Sequence, residues 1–178
     1  MEELVLLEPS SAYYNQIREY RREFLEVGDS MDGTSSLREY EEPSDWMEHI
    51  KLYSRKETIP EGRVPATLFL CVRKDDNKLL GMIDIRHELN EYLLNYGGNI
   101  GYSIRPSERR KGYAKRMLQL ALPYCSDNLG LSKVMISCEV KNEGSRKTIL
   151  ANGGKYENTM HEPDGNLDLE RYWISLKD

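Results

Sequence analysis

Arg109-Arg110-Lys111-Gly112-Tyr113-Ala114 is the stretch from which the rest of the chain can be read. It lies between a short apolar strand, Ile100-Gly101-Tyr102-Ser103-Ile104, and an amphipathic segment running from Ala114 towards Cys125. A basic, glycine-containing turn from a strand into a helix suits an anion. The helix start leaves backbone N–H groups without partners, and its dipole adds partial positive charge. Gly112 lets the backbone bend and lets a ligand come close where a Cβ would stand in the way. The expectation is a pyrophosphate cradle.

Upstream, residues 3–8 read as a first strand stopped by Pro9. Ser10 or Ser11 can cap a helix in which Tyr13, Ile17, Tyr20 and Phe24 recur at helical spacing, with Gly28 ending it. Residues 29–43 form a polar connection, long for a compact domain. Ser44 then caps a second helix that puts Trp46, Ile50 and Tyr53 on one face. Ala66–Arg73 is almost continuously apolar, as in a central strand, and Lys74-Asp75-Asp76-Asn77 turns it into a returning strand over residues 79–86. Residues 90–99 lead through Gly97-Gly98 to the strand before the basic turn.

Downstream, Ala114, Met117, Leu118, Ala121, Leu122 and Cys125 trace one helical face, which Pro123 should kink or end early. Over residues 133–140, Val134, Ile136 and Cys138 alternate with Met135, Ser137 and Glu139, as in a strand. Asn142 can cap a helix running to about Asn152, where Gly153-Gly154 stops it. Strands over residues 155–160 and 167–176 flank an Asp164-Gly165 turn. The order is one strand, two helices, three strands, a helix, a strand, a helix and two strands. It predicts one mixed α/β domain over residues 1–178.

Composition excludes several classes. With 39% hydrophobic and 31% charged residues, the chain is a globular type, and no run approaches the ~18 apolar residues of a membrane span. The acidic start, Met1-Glu2-Glu3-Leu4, lacks the basic opening of a signal peptide, so a cytoplasmic protein is expected. Cys71, Cys125 and Cys138 form no CxxC pair or zinc-type cluster and read as reduced core thiols, with no metal. A net charge of −5 argues against a nucleic-acid binder. Charge is unevenly spread. Residues 26–48 hold eight acids and one base, whereas residues 105–116 hold six bases and one acid.

Two anion-binding motifs are missing. No GxxxxGK followed by Ser or Thr exists, and Gly97-Gly98-Asn99-Ile100-Gly101 precedes a strand where a dinucleotide fingerprint would follow one. A nucleotide-phosphate enzyme is therefore disfavoured. Arg109-x-x-Gly112-x-Ala114, after a strand and opening a helix, does resemble the (Q/R)xxGx(G/A) motif of the GNAT N-acetyltransferases. The element order resembles that family along the whole chain. Asn142-x-x-Ser145 followed by Asn152-Gly153-Gly154 is similar to its fourth-helix motif, and residues 100–106 to its fourth strand ending in proline. Arg86-His87-x-x-Asn90 and the run over residues 97–114 resemble a bacterial subgroup of it.

The resemblance implies a mostly antiparallel sheet of about seven strands flanked by about four helices and splayed between strands 4 and 5. It implies acetyl-CoA in the splay and no metal. Main-chain groups of Tyr102, Ser103 and Ile104 would pair with the pantetheine, and one of their N–H groups would stabilise the oxyanion. Arg109, Arg110, Lys111, Gly112, Tyr113 and Ala114 would hold the pyrophosphate, with Lys115 adding charge, while Asn142 and Ser145 would contact the pantetheine arm. The implied activity is acetyl transfer to a primary amine by direct attack in a ternary complex. Members of the family are often dimers, so a homodimer is the implied oligomer.

Two usual catalytic positions are vacant. Gly97-Gly98-Asn99 offers no carboxylate at the start of strand 4, and Ile149 stands where many members carry a tyrosine acid. A non-catalytic acyl-CoA-binding or sensor module is the alternative reading. For an enzyme, Glu139 is the first replacement base, against the plainer reading of a solvated carboxylate at a strand end. His87 can move a proton near neutral pH, though a lone histidine is more often structural. Tyr102 can donate one, though alternation also places it in the core beside Ile100 and Ile104. Asp84 and Arg86 read as a local ion pair, and His161 as a hairpin residue. The acidic residues 26–48, with Tyr40 and Trp46 among them, would suit a cationic acceptor such as a polyamine, unless they are simply a solvated loop.

Overall fold

The computed structural model describes residues 1–176; the last two residues of the span expected to form one domain lie outside them. Among the described residues seven strands form two antiparallel sheets. The first has the order β1 (Leu4–Leu7), β2 (Ala66–Arg73), β3 (Lys78–Arg86), β4 (Ile100–Ile104). The second has the order β5 (Lys133–Glu139), β7 (Leu167–Ser175), β6 (Lys155–Glu162). Four α-helices cover them: α1 (Tyr14–Val27), α2 (Pro43–Tyr53), α3 (Tyr113–Asp127) and α4 (Glu143–Ala151).

Alternation along the strands gives the first sheet a core on each face. Leu68, Leu70, Val72 and Met82 pack with Ile17, Tyr20 and Phe24 of α1 and Trp46 of α2. On the other face Cys71, Ile83 and Ile85 pack with Met117, Leu118, Ala121 and Cys125 of α3, and this core continues into Val134, Ile136, Tyr172 and Ile174 of the second sheet. Each fully buried side chain of this size contributes about 2 kcal/mol relative to leaving it in water. The three cysteines are free and buried.

The two sheets meet but do not fuse. The Asn99 N–H donates to Met135 O at 2.7 Å, and Met135 N–H donates to Asn99 Oδ1 at 2.9 Å. Beyond that junction β4 and β5 share no ladder, so the expected splay is a break between two sheets.

Several local expectations change. The second helix starts at Pro43 rather than behind a Ser44 cap, because the proline sits at the first helical position, where its missing N–H costs nothing. Ser10 precedes a 3₁₀ turn, Ser11–Tyr13, without a side-chain cap, and α1 follows at Tyr14. Helix α3 runs through Pro123 to Asp127; the proline and Gln119 both lie on its exposed side, where the carbonyl that loses its bond can reach water. The polar residues 29–43 are packed down by Met31, Thr34 and Leu37, all buried, and by a Trp46 Nε1 bond to Thr34 O at 2.8 Å. Residues 93–97 form a π-helical turn instead of a plain connection.

Candidate active site

The register of β3 and β4 decides which groups face the opening. Arg86 N–H donates to Asn99 O at 2.6 Å and Arg105 N–H to Leu80 O at 2.8 Å. Antiparallel alternation then assigns the main-chain groups of Gly101 and Ser103 to β3, opposite Asp84 and Met82. Those of Ile100, Tyr102 and Ile104 point the other way, towards β5. The Ile104 carbonyl accepts from Arg109 Nε at 3.1 Å. Tyr102 thus presents its N–H and C=O to the gap, and the Ser103 amide does not.

The gap is a cleft of about 1490 Å³, lined by both walls and by the basic turn. Ligand pockets are commonly ~300–1,000 Å³, so this one has room for a long molecule and a second reactant. At one end the turn closes into α3. Arg110 and Gly112 both adopt left-handed backbone, with φ of 63° and 81°. The first helical bond of α3 runs from Arg116 N–H to Gly112 O, which leaves the N–H groups of Tyr113, Ala114 and Lys115 for a ligand. A Cβ on Gly112 would meet no atom of the protein within 4 Å, so among the chain's own atoms glycine is needed here for its positive φ, the bend expected from the sequence.

The cations of the turn have different employment. Arg109 pairs with Asp29 and lies over the Phe24 ring at 5.2 Å. Lys111 bonds Glu108 at 2.8 Å, and Lys78 bonds the same carboxylate at 2.7 Å. Burial alone would raise the Glu108 pKa, but these two hydrogen bonds and charges hold it below its ordinary value. Arg110 and Lys115 line the cleft without an ion pair among the described residues. The Tyr113 ring is buried and its hydroxyl bonds Glu2 at 2.7 Å, so only its backbone faces the turn's ligand side.

On the α4 side Asn142 Oδ1 caps the helix by accepting from Ser145 N–H at 3.0 Å. Ser145 Oγ lies 2.8 Å from the Tyr102 hydroxyl. Burial pushes the Tyr102 pKa well above its ordinary value, so this hydroxyl keeps its proton at neutral pH. Ile149 is fully buried and Asn99 is committed to the sheet junction, so neither usual catalytic position holds a proton-transfer group. On the opposite face of β4, the Tyr20 hydroxyl donates to Ser103 O at 2.9 Å and lies 2.8 Å from Ser103 Oγ, which fixes α1 to the strand.

The structure does not bring all the candidate groups together. Glu139 lines the cleft, exposed to water at the end of β5. His87 does not line it. Its Nε2 lies 2.7 Å from Thr67 Oγ1, itself 3.0 Å from the Tyr124 hydroxyl, on the α3 face of the sheet. The parity of Ile83 and Ile85, both in that core, carries this signal in the sequence. His161 pairs with Asp168 at 2.8 Å on the exposed β6–β7 hairpin. Asp84 and Arg86 do form an ion pair, at 3.2 Å, and both line the cleft. Of the acids in residues 26–48 only Asp29 and Asp32 line it; Glu39, Glu41, Glu42, Asp45 and Glu48 are exposed elsewhere.

Sequence reasoning missed His49 of α2. It lines the cleft, with its ring 5.1 Å from that of Tyr40 and 4.5 Å from that of Tyr53, and its Nε2 3.2 Å from Ser35 Oγ. Its spacing of three from Trp46 and four from Tyr53 put it near the apolar stripe, but nothing local marked that stripe's edge as a cleft wall.

A family model for the acetyltransferase (GNAT) domain matches residues 10–155. No curated protein matches the sequence. Among solved structures, spermidine/spermine N-acetyltransferase SpeG from Vibrio cholerae superposes with a TM-score of 0.66 at 18% identity, covering 98% of this chain and 93% of that one. An acetyltransferase of the GNAT family from Bacillus anthracis gives 0.65 at 20% identity, covering 100% and 98%. At such identities the likeness is one of fold. The domain match, together with a sheet that breaks open beside a basic turn at a helix start, establishes that the chain belongs to the GNAT acetyltransferase family.

Proposed function

We propose that the chain, acting as one domain, moves an acetyl group from acetyl-CoA to a primary amine by direct attack within a ternary complex. The observation that carries this reading is the unpaired edge of β4. Tyr102 offers one N–H and one C=O to an extended arm lying between β4 and β5, and the line of that edge leads to the N–H groups of Tyr113, Ala114 and Lys115. Those groups, with Arg110 and Lys115, would take the pyrophosphate. Asn142 and Ser145 would border the arm.

The Tyr102 N–H is the donor best aimed at a developing oxyanion in the gap. The Tyr102 hydroxyl, kept protonated by its burial, is the proton source for the departing thiolate. Glu139 and Asp32 give the wide part of the cleft carboxylates that would draw in an ammonium-bearing acceptor.

The test has two arms. Calorimetry should detect acetyl-CoA binding and no comparable binding of ATP; the reverse result would sink the proposal. Thiol release should then be seen with at least one amine from a panel of polyamines, aminoglycosides and peptide N-termini. Acetyl-CoA binding with no release on any amine would leave a non-catalytic acyl-CoA-binding module.

A further inference from the structure

The chain has three histidines, and only His49 lines the cleft. It stands on α2, and Glu139 of β5 lines the same cleft. The His49 ring packs against two tyrosines, 5.1 Å from that of Tyr40 and 4.5 Å from that of Tyr53, tilted by 39° and 43°. Ser35 fixes Nε2 from the loop between α1 and α2. That loop is itself pressed onto β4, since a Cβ on Gly33 would lie 2.4 Å from Gly101 O and 2.5 Å from Tyr102 Cα. Asp84 is the register partner of Gly101, next to Tyr102, and lines the same cleft as His49, paired with Arg86. The loop thus ties the imidazole, through Ser35 and Gly33, to the stretch of β4 at Gly101 and Tyr102.

We propose that His49 is the general base of the transfer, with Asp84 as the fixed counter-charge for the imidazolium that forms. This rests on the acetyltransferase reading above and adds the residue that reading lacks. The neutral imidazole takes a proton from the acceptor ammonium or from the attacking amine, directly or through one water. The amine nitrogen bonds the thioester carbonyl carbon, the C–S bond breaks, and its electron pair leaves on sulfur, which is protonated by Tyr102 or solvent. The acetyl carbon keeps its oxidation state and no further reactant is needed.

The groups facing His49 bias it as a base should be biased. Burial lowers its pKa, while the Ser35 contact and the charge of Asp84 raise it, and burial prevails. The ring is therefore neutral at pH 7 and ready to accept a proton. Arg86 is held off by its pair with Asp84 and by donation from Nη1 to Gly97 O at 3.2 Å. Tyr40 and Tyr53 contribute ring faces.

The experiment compares wild type with His49→Gln, using acetyl-CoA and the most active amine of the panel. The expected result is acetyl-CoA binding by calorimetry within about twofold of wild type and a kcat/KM lower by ~10²–10⁴-fold at pH 7. The acid limb of the pH profile should disappear. A loss under threefold, or an unchanged acid limb, overturns the proposal. Should His49→Gln not fold, histidine-labelled wild-type protein in its acetyl-CoA complex is titrated by NMR. Titration below the ordinary 6.5, moving lower still in Asp84→Asn, supports the base; a ring that stays charged at pH 7 overturns it. Thiol release absent from wild type itself, with acetyl-CoA bound, sinks the transferase reading and this proposal with it, whereas release lost only in the variant bears on His49.

Discussion

The hydroxyl of Tyr102 on β4 lies 2.8 Å from Oγ of Ser145 on α4, joining a wall of the cleft to the helix that closes it. Elsewhere the two walls touch through Asn99 and Met135 at the closed end. Tyr102→Phe keeps the ring and removes only the proton. It should cost about 1 kcal/mol of stability, a single net hydrogen bond, and leave acetyl-CoA affinity within about threefold. Thiol release should fall by ~10²-fold or more. Turnover at the wild-type rate in a folded Tyr102→Phe protein would exclude the hydroxyl as the thiolate's proton source.

Glu108 anchors the basic turn from below. Its carboxylate is almost fully buried, bonds Lys78 and Lys111, and has Arg73 at 3.8 Å. Glu108→Gln keeps the shape and deletes the charge. Because Lys78 and Lys111 can both reach water, the cost should be near the lower end for a broken buried pair, about 2 kcal/mol. Urea midpoints at pH 7 measure it. The Glu108 pKa is lowered in the folded protein, so its contribution is present above the unfolded carboxylate value and is lost as pH falls through the folded one. The variant's deficit should therefore shrink in acid.

Much of this was readable from local sequence, and the exceptions have physical causes. Ala66–Arg73 and the Asn142 cap depend on neighbours within a few residues, and they stand where periodicity and capping put them. The basic turn is likewise local. The face of a residue is not: His87 reads as a candidate base until β3 is laid on α3, and His49 reads as an ordinary helix position until α2 is laid beside β4. The acidic residues 26–48 show the same limit, since a charge run along the chain divides once folded between the cleft rim, at Asp29 and Asp32, and exposed positions elsewhere.

Both of these histidines have pKa values lowered chiefly by burial. Below pH 6.5 the unfolded chain binds their protons more readily than the folded one, so stability is complete above that value and is lost as pH falls towards the folded values. Thermal midpoints should be flat from pH 8 to 7 and drop as pH falls below about 6.5. Asp84, raised by burial, works in the opposite sense. A double variant, His49→Gln with His87→Gln, should remove most of the drop; a drop of undiminished size in that variant would assign it to other groups.

Two glycines separate conformational from steric demand. Gly112 has a φ of 81° with nothing within 4 Å of an added Cβ, so Gly112→Ala carries only the left-handed penalty, about 1–2 kcal/mol. Gly112→Asn should recover part of it, since asparagine tolerates that region. Gly33 also has positive φ, 68°, but an added Cβ meets Gly101 O at 2.4 Å, and that atom is backbone and cannot rotate away. Gly33→Ala must therefore lift residues 29–36 off β4, and with them Ser35 from His49 and Asp29 from Arg109. The two variants should fail differently. Gly112→Ala should weaken acetyl-CoA binding in calorimetry, because the strain is stored in the turn proposed to take the pyrophosphate. Gly33→Ala should raise KM for the amine and lower kcat with less change in acetyl-CoA affinity, because the loop it displaces borders the acceptor side. If Gly33→Ala instead left both kinetic constants unchanged, the packing of that loop on Gly101 would have no part in catalysis, and the role of base for His49, which the loop holds through Ser35, would have to be abandoned with it.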